Sequence, residues 1–550
     1  MALLFLGTQK RSNFRFEAYR RLGTQEADVD YDAPECRNFV LPKPGVYPGV
    51  QRPFNPPHPL WTHQYPTLNQ HGAIRTPRAA PASVVTARKR LRRQVQSRQL
   101  TYSKDLGHGG NGLVVLFNWK NLSPPYHKKY LVAKCNHAGG QAAAAALLTE
   151  KLTTDKFRNA RHIIQTDTPP GRVPNQRSSM RDRQRRGLQG PGGNWAPEQD
   201  DISDVMFLEH CKRGSLHKAL YTSHAKILEF PNRALWHIFH CLIKACIAMA
   251  YPPTPPGNPG HGQQPRYKER VPDNENKSKF VHFDIDPQNS KHVAEPGLNN
   301  HPLIPVMKLS DFGIASDIQD QDLSDRDLMW QLRPLAKYGF FTPEQFTEEW
   351  DYVPAGQAPR AGNPPFPKVA GNFTWKNNLF QMGLVMVCLI TRHRPATPPY
   401  PSRIRMPPID PGDEDDDDIA HASEGARDNV RGDAADLRPN EPATHFDDMI
   451  EVEADWIRVW SYGGYILDDN NPVYNRVDRG LRHLVAQCLC DDPYYRPRLE
   501  TLELDVRTCI KRKVWDRGQP NHLISPGNTD ADVKEWVKEC FDKPVVKPQA

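Results

Sequence analysis

No C-x-x-C pair occurs anywhere in the 550 residues, and the ten cysteines are scattered. That spacing argues against a zinc site or a disulfide framework. Cys241, Cys246, Cys388 and Cys488 fall within apolar helical patterns and read as buried, reduced thiols. Long hydrophobic runs are missing too: none is expected to span a bilayer, and the apolar Met1–Leu6 is too short and lacks the basic flank of a signal peptide. Hydrophobic residues make up only 38% of the chain while prolines number 53, so a sizeable fraction is expected to stay outside any core, in long disordered pieces. The expectation is a soluble chain of the cytoplasm or nucleus with no membrane partner. Nor does charge of one sign dominate. The formal net charge is +8, with basic runs early and an acidic run, Asp413–Asp418, late, so overall charge selects no partner.

One stretch carries chemistry: Phe280-Val281-His282-Phe283-Asp284-Ile285-Asp286-Pro287-Gln288-Asn289, followed by Lys308-Leu309-Ser310-Asp311-Phe312-Gly313. An aspartate, an asparagine five residues on and a second aspartate after a short apolar run are what phosphoryl transfer asks for. One can accept a hydroxyl proton, and two can offer oxygens to magnesium. Upstream, Gly107, Gly109 and Gly112 lie between Leu106 and Leu113-Val114, where backbone amides could approach a phosphate. A dinucleotide fingerprint would need a helix next, and Leu113–Phe117 looks like a strand. Tyr130-Leu131-Val132-Ala133-Lys134 reads as a strand ending in lysine. The helix-forming Ala142–Leu152 then carries Glu150, its only acid before Asp155.

In this order the motifs resemble the eukaryotic-type protein kinase superfamily, as a divergent member with H-F-D-I-D-P-Q-N in place of H-R-D-L-K-P-x-N. The resemblance covers about residues 100 to 515 and includes Thr342-Pro343-Glu344 for the A-P-E signature and Asp492-Pro493-Tyr494-Tyr495-Arg496-Pro497 near the end of the large lobe. It implies an α+β, two-lobed fold: a small lobe of antiparallel strands plus one helix, a larger mainly helical lobe, and ATP with Mg2+ in the cleft between. It further implies Asp284 as the residue that orients and deprotonates the acceptor, Asn289 and Asp311 as magnesium ligands, and Lys134 paired with Glu150 on the phosphates. Nucleotide contacts fall on Leu106, Gly107, Gly109, Gly112, Val114 and Ala133. Others fall on Leu208 as gatekeeper, on the backbone of Glu209 and Cys211 at the hinge, and on Ser215 near the ribose. Glu344 is expected to pair with Arg496. The loop lacks the A-A-R or R-A-A of the tyrosine class, so the implied acceptor is a protein serine or threonine.

Four departures bear on activity. Phe283 replaces the arginine that clamps an activation-loop phosphate, so regulation through Ser316, Ser324, Tyr338 or Thr342 is not expected. Asn378 stands for the aspartate that holds the catalytic loop from a helix apolar nearly all round, Asn378–Ile390. Asp286 replaces the loop lysine, and the threonine seven residues before the A-P-E glutamate is Lys337. The cation is therefore expected to have changed strands, with Lys337 and Asp286 forming an ion pair. The competing reading, supported by Asp286 and Asn378, is a catalytically impaired pseudokinase acting as a nucleotide-binding scaffold.

The expected organisation is a disordered Pro-rich and basic region over residues 1–99 and a small lobe over 100–213 with an insert near 168–200. A large lobe follows over 214–515, with inserts near 251–279, 290–305 and 400–445, and then a tail over 516–550 with an amphipathic helix around Trp536. The basic run Arg88–Arg93 reads as a solvated charged helix in preference to a nucleic-acid patch, since no aromatic interleaving or recognised module accompanies it.

Overall fold

The computed structural model describes residues 82–96, 100–108, 112–119, 130–137, 141–167, 204–253, 269–272, 277–293, 303–323, 325–337, 339–347, 369–395, 399–407, 457–512 and 528–543. Their architecture is mixed α+β, with small antiparallel sheets and helices.

Val84, Ala87, Leu91 and Val95 recur at helical spacing, and all four are buried along one face of α1 (Ala82–Gln96). That face lies on a four-stranded antiparallel sheet, β1 (Leu100–His108), β2 (Gly112–Trp119), β3 (Tyr130–Asn136) and β4 (Val205–Leu208), paired in that order. Strand alternation gives the sheet two different faces. Leu113, Val115, Phe117, Leu131, Ala133, Cys135, Val205 and Phe207 pack with α1. Leu116, Val132, Met206 and Leu208 pack on the other side with Leu147 of α2 (Gln141–Lys156).

The helical part follows as α3 (Leu216–Ala225), α4 (Asn232–Ala250), α5 (Trp375–Thr391), α6 (Arg479–Cys488), α7 (Leu499–Arg512) and α8 (Asp530–Val537). Every residue of α5 is buried, and α4 packs between α5 and α7. Short strands decorate this core. β5 (Gly214–Ser215), β7 (Ser290–Val293) and β8 (Val306–Leu309) form one sheet, β6 (Lys279–Val281) pairs with β9 (Ser316–Ile318), and β10 (Ser402–Met406) pairs with β11 (Ile457–Ser461). The strand-rich and helical parts are joined through the backbone: Leu309 N donates to His162 O and Ile164 N donates to Leu309 O, both at 2.8 Å.

Several expectations are corrected. Residues 82–96 are not disordered, because the apolar stripe of α1 has the sheet to bury against. The tail also contains core: Val533, Trp536, Val537, Cys540 and Phe541 are buried in the main helical cluster. Three of the expected inserts are narrower than drawn, since Lys279, Ser290–Val293 and Ser402–Met406 are strand. The insert near 168–200, the prolines 42–59 and the acidic run 413–418 lie outside the described residues. Finally, α4, with 19 residues and a mean hydropathy of 1.2, is long and apolar enough to cross a membrane, contrary to the expectation that no run is. Most of it is buried inside the protein.

Candidate active site

Lys134 has the same strand parity as Val132, so β3 aims it away from α1 and towards α2. There its Nζ lies 2.6 Å from Glu150 Oε1 and 2.7 Å from Asp311 Oδ1. Burial alone would lower the lysine pKa, but the carboxylates of Asp311 and Glu150 outweigh it and hold the ammonium above the usual lysine range. The same burial raises Glu150, while Lys134 helps to lower Asp311 against burial. Val114 is the register partner of Lys134. A Cβ at Gly112 would lie 3.5 Å from Lys134 Cε, so the glycine leaves room for the lysine stem.

The alternation also corrects one expectation. Ala133 faces α1 and not the cleft. The residue of this strand that shares a cluster with Val114, Leu208 and Cys211 is Val132. Period-two reading of Tyr130–Lys134 would have found it. Leu106 is exposed, and open space surrounds the Cα of Gly107; Gly109 lies outside the described residues. The Glu209 carboxylate accepts from Gln165 N at 2.7 Å and pairs with Lys308 at 2.8 Å, which fixes the chain after β4. Ser215 caps α3, its Oγ accepting from Lys218 N.

The catalytic-loop candidate is bolted to α5. Asn378 Oδ1 accepts from His282 N at 2.9 Å, and its Nδ2 donates to Phe280 O at 2.7 Å. One turn on, Gln381 Nε2 donates to Phe283 O and Phe340 O at 3.0 and 2.9 Å, and its Oε1 accepts from Ile285 N at 3.3 Å. Gln381 was not singled out from the sequence. Its signal is a polar residue one turn beyond Asn378, followed by an unbroken apolar run from Met382 to Ile390. Phe283 and Asp311 both take left-handed backbone, with φ of 61° and 72°, a conformation that surrounding bonds must hold. His282 Nδ1 accepts from Asp284 N at 3.2 Å. Burial pushes the imidazole down to about 4, so it stays neutral and remains an acceptor.

Within the loop, Asp286 Oδ1 accepts from Gln288 N and Asn289 N at 3.0 and 2.8 Å. Asn289 Nδ2 then donates to Asp284 O at 2.9 Å and to Asp284 Oδ2 at 2.8 Å. Ser310 donates twice to Asn289 O, from N at 2.9 Å and from Oγ at 3.0 Å, which brings Asp311 beside Asn289. Lys337 Nζ sits 3.0 Å from Asp286 Oδ2 and 3.4 Å from Asp284 Oδ1. Burial, with Asp286 and Asp311 adding to it, pushes Asp284 up to about 7 despite the pull of Lys337. A carboxylate poised there can take a proton at neutral pH.

The donors present fit magnesium. The Asn289 amide nitrogen is spent on Asp284, leaving its carboxamide oxygen as the atom able to ligate. Asp311 is nearly half exposed, with only Oδ1 held by Lys134. Two protein oxygens are what this ion takes when waters and phosphates complete its shell. Among the described residues no group of three His, Cys, Asp or Glu could form a metal cage.

Beneath the site, Glu344 and Arg496, both fully buried, form a bidentate pair at 2.5 and 3.2 Å, and Arg496 also donates to Cys490 O, Lys376 O and Asp491 O. Thr342 is buried and accepts from Asn377 Nδ2. Ser324 and Tyr338 lie outside the described residues. No protein-family model matches the chain, and no curated protein matches it. The resemblance to protein kinases therefore rests on these residues and their arrangement.

Proposed function

We propose that this chain is an ATP- and magnesium-dependent protein kinase that transfers the γ-phosphate to serine or threonine hydroxyls of a protein. In this reading the four-stranded sheet with α2 is the small lobe, and the helical part is the large lobe of a protein-kinase-like fold. The observation that carries it is convergence. Lys134 from β3, Glu150 from α2 and Asp311 after β8 meet within 2.7 Å contacts, and Asp284 and Asn289 are bonded to each other on the adjoining loop. Sequence neighbours could not produce that set by chance of local structure.

The chain's own residues divide the work. Val114, Val132, Leu208 and Cys211 offer an apolar wall for a purine, and the glycines 107 and 112 leave backbone free near the phosphates. Lys134, oriented by Glu150, fixes the phosphates, while Asp284 orients the acceptor hydroxyl and takes its proton. Asn289 and Asp311 would hold magnesium, which when bound neutralises charge on the phosphates. The nine described cysteines are thiols, seven of them buried, which supports a reducing setting, the cytoplasm or nucleus.

The second reading, a nucleotide-binding scaffold, is favoured by the buried Asp286, a third carboxylate close to Asp284 and Asp311. Purified protein incubated with radiolabelled ATP, magnesium and generic acceptors, beside Asp284→Ala, separates the two. Transfer by the parent and its loss in the variant supports the kinase. Equal absence of transfer in both, with ATP still raising the melting temperature, leaves the scaffold.

A further inference from the structure

Asp286 is 4% exposed at its side chain and Asp284 14%, but Lys337, which bridges them, is 37% exposed. The side chain of Lys337 is thus more open to solvent than either carboxylate it bridges. Neither end of this bridge is loose. Asp286 is fixed by the backbone amides of Gln288 and Asn289. Lys337 belongs to a turn in which Phe340 N donates to Lys337 O at 2.9 Å, and Phe340 O accepts from Gln381, the residue that also holds Phe283 O. A single helix therefore positions the loop with Asp284 and the segment with Lys337. Lys134 is engaged on the opposite side by Glu150 and Asp311. Lys291, another cation near Asp286, is turned back to bond Gln288 O.

We propose that Lys337 is a catalytic residue that binds the transferring γ-phosphate, with Asp286 as the positioning residue that holds its ammonium. The assignment rests on the kinase reading and deepens it. In the step, the acceptor oxygen forms a bond to the γ-phosphorus and the bond from that phosphorus to the β–γ bridging oxygen breaks. The bridging oxygen and its electron pair leave with ADP, and the hydroxyl proton goes to Asp284. Lys337 donates a hydrogen bond to a non-bridging γ-oxygen throughout and transfers no proton. A neutral or negative group there would face the charge of the phosphate beside three aspartates; the ammonium offsets it where it develops.

The test uses the full chain and compares affinity for magnesium ATP and magnesium ADP with phosphate transfer. Lys337→Ala should weaken ATP by about tenfold while ADP stays within about twofold, because only ATP carries the contacted phosphate, and kcat should fall about a hundredfold, the scale of one preorganised charge contact. Lys291→Ala should leave the ATP-to-ADP preference unchanged. The exchanged variant Asp286→Lys, Lys337→Thr should recover at least about tenfold of the lost kcat, a rescue that a merely structural ion pair would not give. An unchanged ATP-to-ADP preference in Lys337→Ala overturns the assignment, whatever happens to transfer. If the parent transfers nothing but its preference for ATP still depends on Lys337, the kinase reading falls and Lys337 stands as a γ-phosphate ligand. If the parent binds neither nucleotide, both fall.

Discussion

Asn378 shows what a single side chain decides here. The kinases that the chain resembles have aspartate at this place, so Asn378→Asp looks like a repair. The structure argues the opposite, because Nδ2 donates to Phe280 O at 2.7 Å, and a carboxylate would set oxygen against oxygen in a site with no solvent. Asn378→Asp should destabilise the chain by about 1–3 kcal/mol, the range for a buried polar group left unsatisfied. Chemical denaturation measures it, and a variant as stable as the parent would count against this geometry. The same scale shows how far residue identity can be read from sequence. Asp284, Asn289, Asp311, Lys134 and Glu150 stand out in the sequence by type and spacing, and the structure brings Lys134, Glu150 and Asp311 together and bonds Asn289 to Asp284. Motif spelling points to Ala133, whereas strand alternation puts Val132 on the cleft side.

At the scale of elements, the pair Glu344 and Arg496 joins two segments 152 residues apart. Both partners were legible because each sits in a short specific motif. Breaking a fully buried bidentate pair leaves one charge without its partner, so Arg496→Met should cost about 3–5 kcal/mol. A melting curve that barely moves would show that the carboxylate is satisfied by other groups. At α1 and α8 a helix was expected from sequence but its burial was not: their apolar faces find partners far along the chain. Nothing local announces those partners. α1 also explains the basic run: Arg88 pairs with Asp105, Arg90 pairs with Asp204 at 3.2 Å, and Arg92 lies over the Tyr102 ring at 4.8 Å. These arginines fasten α1 to the sheet and its surroundings, which leaves less charge for a nucleic acid than their count suggests. α8 closes the other end, with Trp536 against Phe230 at 5.0 Å between ring centres and Lys226 paired with Glu539 at 2.7 Å. Removing residues 528–550 should therefore abolish a cooperative melt and not merely trim a tail. Each large side chain lost from the core is worth about 1.5–3 kcal/mol, against a total stability of about 5–15 kcal/mol. A truncated chain that melts like the full one would refute the packing.

For the molecule as a whole, one buried pair should set how stability responds to alkali. His162, in the segment after α2, donates its backbone N to Glu269 Oε1 at 2.8 Å, and its ring contacts the same carboxylate. Glu269 in turn fixes the chain before β6, where its carbonyl accepts from Lys244 of α4 at 3.0 Å. This pair thus ties the joint between the strand-rich and helical parts to a core helix. Burial alone would drive the His162 pKa down, but the Glu269 carboxylate raises it to about 9; Glu269 is lowered, against burial, mainly by His162. A histidine whose folded pKa lies above its unfolded one contributes stability that is fully present below about 6.5 and is lost as pH rises through about 9. The carboxylate works in the other direction, its contribution being lost in acid as Glu269 takes up a proton. Between pH 6.5 and 9 the parent should lose about 3 kcal/mol of unfolding free energy from His162, at about 1.4 kcal/mol per pKa unit. His162→Gln, which cannot titrate, should start less stable near pH 6.5 and show a flatter dependence over that window. Denaturation midpoints for both proteins across the range measure the slopes, and parallel slopes would mean that His162 is not charged in the folded chain.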